Sequence, residues 1–200
     1  MDAPSTQRPM RADARRNYER IITYAREAFA EHGPQAPLDD IARRAGVGAG
    51  TLYRHFPHRE ALIEAVYRST IEALSRRAFD LIDTVPPGES LRLWLHAQVD
   101  YVMNERSLAV TLKAAIDRDS ETFTLCSTLV ADAAGAVLRS AQDAGLVRDD
   151  IEPRDVLRLA HGIGAACEHA GREAADRLLA VAWDGLRTTT SRDLPVSDRA

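Results

Sequence analysis

The 200-residue chain reads as an all-α protein, with a three-helix helix-turn-helix domain at its N-terminus and a helical bundle after it. Three observations predict this. Apolar residues recur at spacings of three and four from about Ala14 to Thr189, broken by recognisable Gly and Pro stops. No stretch alternates apolar and polar residues as a half-buried strand does, and no hairpin turn is present. Finally, Leu38 to Arg59, LDDIARRAGVGAGTLYRHFPHR, has the form of two short helices joined by a glycine turn.

Met1 to about Asp13 is polar, contains Pro4 and Pro9, and is expected to be a mobile arm. The first helix is predicted from about Ala14 to His32, where Tyr18, Ile21, Ile22, Ala25 and Phe29 form an apolar stripe and Gly33-Pro34 ends it. In the next helix Leu38, Ile41, Ala42 and Ala45 share one face, opposite Asp39, Asp40, Arg43 and Arg44. Gly46 suits a left-handed helix end, and Gly48 stands where a capping residue is needed. Ala49 to Phe56 then buries Leu52 and Phe56, and Pro57 stops it after about two turns.

A long helix is predicted from about His58 to Thr84, closed by Pro86-Pro87. Its broad apolar face, from Leu62 to Ile82, serves two neighbours and makes it the connection between head and body. Further helices are predicted over about Gly88 to Glu105, Leu108 to Asp117, from a cap at Asp119 or Ser120 to Gly145, Pro153 to Ala170, and Gly171 to Thr189. The expected organisation is a DNA-binding domain over 1–57, a helical effector and dimerisation domain over 58–189, and a frayed tail over 190–200.

Composition, at 45% hydrophobic and 28% charged residues, is that of a globular protein. No run of 18 apolar residues and no apolar signal core is present, so no membrane partner and a cytoplasmic location are expected. Cys126 and Cys167 both fall in predicted helices and are expected to be unpaired. The net charge of −4 is unevenly placed: Met1 to Ala78 holds 13 Arg against 10 acids, or +3, leaving −7 for the remainder. A basic head suits contact with phosphates, because counterion release depends on local charge.

With Leu52 and Phe56 inward, the third helix presents Ala49, Gly50, Thr51, Tyr53 and Arg54, with His55 on its flank. Small residues allow approach to base edges, while hydroxyl, imidazole and guanidinium groups can meet phosphate or base acceptors. The string AGVGAGTLYRHFPHREAL resembles the helix-turn-helix signature of the TetR family of bacterial regulators, in which Ala-Gly-Val, Thr-Leu-Tyr and Phe-Pro recur in this order. The resemblance covers about the first third of the chain. It implies that Thr51, Tyr53, His55 and Arg59 contact the DNA backbone and that Ala49 and Gly50 lie closest to base edges. Gly48, Arg54 and Arg44 complete the expected contact set. Gly48 departs from the usual capping Ser or Thr, and Pro37 from a hydroxyl residue that often bonds phosphate.

The resemblance also implies a homodimer through the last two helices and a small-molecule effector within the body. Small residues in the run His161 to Cys167 permit close approach of another helix. Trp94, Gln98 and Tyr101 can share one side of a helix, and Phe123 and His161 are candidate partners for them in a pocket. His161, Cys167 and His169 lack the spacing for three metal ligands on one face, and no cofactor is implied. The expected function is a sequence-specific regulator, a repressor released from a pseudo-palindromic operator by its effector. Two alternatives stand beside it. A nucleoid-type DNA-binding protein needs a more basic body, and a helical enzyme needs a nucleophile–base or paired-carboxylate spacing that the sequence lacks.

Overall fold

The structure is a computed structural model. It describes residues 7–115 and 120–188, with side chains over 12–103 and 120–188. The described residues form α1 (Gln7–His32), a 3₁₀ turn (Gly33–Gln35), α2 (Leu38–Arg44), α3 (Ala49–His55), α4 (Arg59–Thr84), α5 (Pro87–Ala115), α6 (Glu121–Asp143), α7 (Pro153–Ala166) and α8 (Arg172–Leu186). The β pairing among them is one isolated bridge, Val147 with Arg187.

Three boundaries differ from expectation. Helix α1 already begins at Gln7, because Pro9 falls in a first turn whose N–H groups have no intrahelical acceptor. The two helices expected between Gly88 and Asp117 are one, α5, since Arg106 and Ser107 offer no break between them. Helix α7 ends at Ala166 and α8 starts at Arg172, with Gly171 in the left-handed region at φ 82° between them. The expected tail over 190–200 lies outside the described residues.

Caps explain two of the starts. Ser120 Oγ accepts a hydrogen bond from the Phe123 amide at 3.1 Å and opens α6. Pro153 stands at the start of α7, where Glu152 and Asp155 form a capping box and the Glu152 amide donates to Asp155 Oδ2 at 3.1 Å.

The chain packs as two compact units, one of residues 1–74 with 101–130 and one of 75–100 with 131–200. The first part of α4 belongs with the head because Leu62, Ile63, Val66, Tyr67 and Ile71 join Ile21, Phe29, Ile41, Leu52 and Phe56 in a single core. Cys126 of α6 is buried in that core, and Tyr101, Phe123, Leu129 and Val130 pack against it. Burial pushes the Tyr67 hydroxyl up to about 12, with Cys126 adding to the effect.

The second unit buries Leu91, Trp94, Leu95, Val137, Leu138, Val156, Ala160 and Leu179. Helix α6 is the one described helix whose length and composition would suit a membrane span, with a mean hydropathy of 1.2 over 18 residues. Its apolar side serves the fold: Cys126 is in the first core, and Ala133, Val137 and Ala141 are fully buried. Both cysteines are buried and free.

Candidate nucleic-acid interface

Helix α3 has only seven residues, too few to persist alone, so its placement comes from the turn before it and the core beneath it. The turn is a helix end closed by two bonds: the Gly46 amide donates to the Arg43 carbonyl at 3.0 Å and the Val47 amide to the Ala42 carbonyl at 3.0 Å. Gly46 sits at φ 61°, which glycine adopts without a side-chain penalty. Gly48 then caps α3 through its backbone alone, its carbonyl accepting from Thr51 at 2.8 Å and Leu52 at 3.1 Å. Below, Leu52 is fully buried and Phe56 is 3% exposed, each contributing roughly 1.5–3 kcal/mol.

That burial leaves Ala49, Gly50, Tyr53 and Arg54 exposed, with Thr51 and His55 half-buried beside them. A Cβ added to Gly50 would meet nothing within 4 Å. The His55 ring makes an edge contact with Tyr18, their centroids 6.0 Å apart, so α1 steadies that flank. The face is smooth at its start and polar at its end, as the sequence predicts.

The head's guanidinium groups divide sharply. Arg15 pairs with Glu19 at 2.9 Å, Arg16 with Asp13, and Arg43 with Asp40. Arg44 lies 2.8 Å from Glu31 and 2.7 Å from Asp40. Its hydrogen bond to Glu31 holds it more firmly protonated, while Arg43 and then Arg44 draw Asp40 below the usual carboxylate range. Arg44, expected among the contacts, bridges α1 and α2 through these two carboxylates. Arg59 Nη1 donates to the carbonyls of Pro34 at 2.9 Å and Ala36 at 2.5 Å, leaving the rest of its fork for other acceptors. Among the described residues, Arg20 and Arg54 are exposed with no carboxylate partner, and the half-buried Arg26 reaches Ser69 Oγ at 3.4 Å.

The expected pocket residues fall in both units. Trp94 and Gln98 are buried in the second unit, whereas Tyr101 and Phe123 pack against the first unit's core. His161 is exposed, because Val156, Ala160 and Ile163 fix the inward register of α7 and turn position 161 outward. Gln98 is 5% exposed, yet its Nε2 has no hydrogen-bond partner among the described residues, and the same holds for the buried Ser75 Oγ. Sequence reasoning missed Ser75, since a lone serine in an apolar helix face carries no signal of its own.

It also missed a groove of about 470 Å³ in the second unit, with Leu95, Leu179 and Trp183 as its apolar wall and Arg92, His96 and Arg172 at its rim. Burial, then Arg92, holds the His96 imidazole below its usual range against the opposing pull of Asp176, 3.5 Å away. No group of three potential metal ligands occurs among the described residues.

The head geometry, a tight turn into a short helix with one bare face, has counterparts in known proteins. Residues 21–66 match the family model of bacterial regulatory proteins of the tetR family, and residues 86–188 match that of the SbtR-like transcriptional regulator C-terminal domain. The chain is 26% identical over 176 residues to the HTH-type transcriptional regulator UidR of Escherichia coli, covering 83% of this chain and 90% of that one. It is 35% identical over 102 residues to the HTH-type transcriptional repressor LfrR of Mycolicibacterium smegmatis, about half of each chain. The crystal structure of the TetR transcriptional regulator SCO0520 from Streptomyces coelicolor superposes with a TM-score of 0.75 at 37% identity, over 86% of this chain and 99% of that one. Since both the reading head and the helical body match, this chain belongs to the TetR family of DNA-binding transcriptional regulators.

Proposed function

We propose that this regulator acts as a homodimeric repressor whose α3 helices read the two halves of a pseudo-palindromic operator, and that an effector bound in the body releases it. The observation that carries the reading is the outward arc of α3. Ala49 and Gly50 open onto free space at its start, with Thr51, Tyr53 and Arg54 following, so backbone and bases are both within reach of one short helix. His55, Gly48 and the free part of the Arg59 fork extend the contact set to the phosphates on either side. Two heads in two-fold symmetry require half-sites about 34 to 36 Å apart.

Dimerisation through α7 and α8 is supported by groups that nothing in the chain itself explains. Leu178 is 42% and Val181 70% exposed on α8. Gly162 of α7 and Gly185 of α8 are exposed, and a Cβ at either would meet nothing. Glycine within a helix costs roughly 0.5–1 kcal/mol relative to alanine, a cost justified where a second helix must approach closely. A second copy of α7 and α8 fits that face.

For the effector, Gln98 Nε2 is a buried donor awaiting an acceptor, and Ser75 Oγ is a second unmatched group in the same unit. A ligand offering hydrogen-bond acceptors to the interior satisfies them. An effector shifts the protein between operator-bound and released states only by its difference in affinity for the two; moving 99:1 to 1:99 needs about 5.5 kcal/mol.

The test is anisotropy titration against the duplex that the wild-type protein selects from a random pool, beside a shuffled duplex. A repressor that reads through α3 binds the selected sequence about a thousandfold or more tightly. Tyr53→Phe weakens that binding by removing one phosphate bond, and Thr51→Ala does so independently. Equal affinity for both duplexes would instead favour a nucleoid-type binder.

A further inference from the structure

The geometry points to Arg20 as a DNA-backbone contact that the helix-turn-helix stretch itself does not contain, supplied from α1 and laid across the turn that leads into the reading helix. This rests on the reading of α3 as the groove-entering element.

Two observations place it there. The Arg20 guanidinium lies over Gly46, with Nη2 in the space that a Cβ on that glycine would enter. Gly46 is exposed, so the charge stands at the surface of the turn. From Gly46 to Ala49 is three residues, at most about 11 Å of chain. The major groove is about 12 Å wide. With Ala49 and Gly50 at the base edges, a cation held over Gly46 sits at the groove's margin, where the phosphates run.

The second observation is electrostatic. Several arginines of the head are already paired with carboxylates: Arg15, Arg16, Arg43 and Arg44. An engaged guanidinium releases few counterions, because its charge is matched before DNA arrives. Arg20 is exposed and has no carboxylate partner among the described residues, a property it shares with Arg54 of α3 itself. Around the turn and the reading helix, the exposed arginines without a carboxylate partner among the described residues are thus Arg54 on α3 and Arg20 beside the turn before it, with Arg59 half-buried. Two such groups, one over the turn and one on α3, give the phosphates two separate anchoring points. A planar fork with five donors suits this better than an ammonium, since it can bond a phosphate while lying flat on the turn.

The experiment measures affinity for the selected operator duplex from about 0.05 to 0.3 M salt, with the wild type, Arg20→Gln and Arg20→Lys. Each phosphate contact contributes about 0.9 to the slope of log affinity against log salt, so loss of Arg20 from both protomers flattens it by about 1.8. Binding near physiological salt weakens roughly tenfold. Arg20→Lys keeps the charge and keeps the slope. An unchanged slope in Arg20→Gln overturns the assignment, even with weaker binding, because that pattern describes a brace for the turn. If Arg20→Gln melts early, the Lys variant decides: a retained slope supports the contact and a lost one overturns it. Failure of the wild type itself to bind with salt dependence would instead refute the reading of α3.

Discussion

The guanidinium of Arg59 donates to the carbonyl oxygen of Ala36 at 2.5 Å, tying the first residue of α4 to the connection between α1 and α2. Pro34 supplies a second acceptor at 2.9 Å from the same nitrogen. The resemblance implied a phosphate contact at this position, and the geometry gives Arg59 two hydrogen bonds within the head besides. Hydrogen bonds to or from a charged group are worth about 1.5–3 kcal/mol, so Arg59→Ala should lower the unfolding free energy by roughly that amount. Arg59→Lys should recover part of it. Urea denaturation followed by circular dichroism checks this, and a midpoint unmoved in Arg59→Ala would return the side chain to the phosphate-contact set alone.

Glycines 46 and 50 make opposite predictions from positions four residues apart. Gly46 has φ 61° and lies beneath Arg20, so Gly46→Ala meets a left-handed penalty of about 1–2 kcal/mol and displaces a guanidinium. It should destabilise the head. Gly50 lies within α3 in open space, and Gly50→Ala should stabilise the protein by roughly 0.5–1 kcal/mol through helix propensity. Operator affinity should nonetheless fall, since the added methyl stands between the helix and the base edges. A variant that is both more stable and tighter binding would remove Gly50 from the interface.

These positions also show what was legible in the sequence. The head was readable because each of its signals is local: the stripe of α2, the positive-φ glycine at 46, Leu52 and Phe56 four residues apart, and the stop at Pro57 all act within a few residues. The distant partners of Arg44 and Arg59 were not readable, because Glu31 is 13 residues from one and Ala36 is 23 from the other. The same applies to Arg20, which reaches the turn from a different helix. In the body, periodicity located the helices but missed the continuity of α5, where the absence of a stop was the informative feature. It could not show that position 161 is exposed, because spacing within one helix does not say which arc a neighbour covers. The unpartnered Gln98 and Ser75 were invisible for the same reason, since an unmatched donor is a property of its surroundings.

His96 predicts a pH dependence whose sign can be worked out. Burial and the neighbouring Arg92 lower its folded-state value beneath the ordinary 6.5, and Arg172 acts in the same direction, against Asp176 and Glu89. The unfolded chain therefore binds this proton more readily than the folded one, and protonation favours unfolding. The stabilising contribution is complete above about 6.5 and is lost as pH falls through the lowered value. His96→Gln should then lose less stability than the wild type between pH 7 and 5, although general carboxylate titration affects both. Since the ring is partly exposed, the difference should be a modest shift in melting temperature. Parallel melting curves for the two proteins over this range would show that the imidazole is not penalised in the groove.

The unmatched amide of Gln98 supplies a test of the body that needs no knowledge of the effector. A buried donor without an acceptor costs about 1–3 kcal/mol, and replacement by an apolar group of similar shape removes that cost. Gln98→Met should accordingly leave the unliganded protein as stable as the wild type or stabilise it, the reverse of the usual result for a core substitution. The same change should reduce the response to any effector that supplies the missing acceptor, so operator binding persists in cells where the wild type is released. The two outcomes are coupled through one atom, Nε2. If Gln98→Met is instead destabilising by several kcal/mol, the amide is part of the packed polar structure of the folded body, and the effector must be held by other groups.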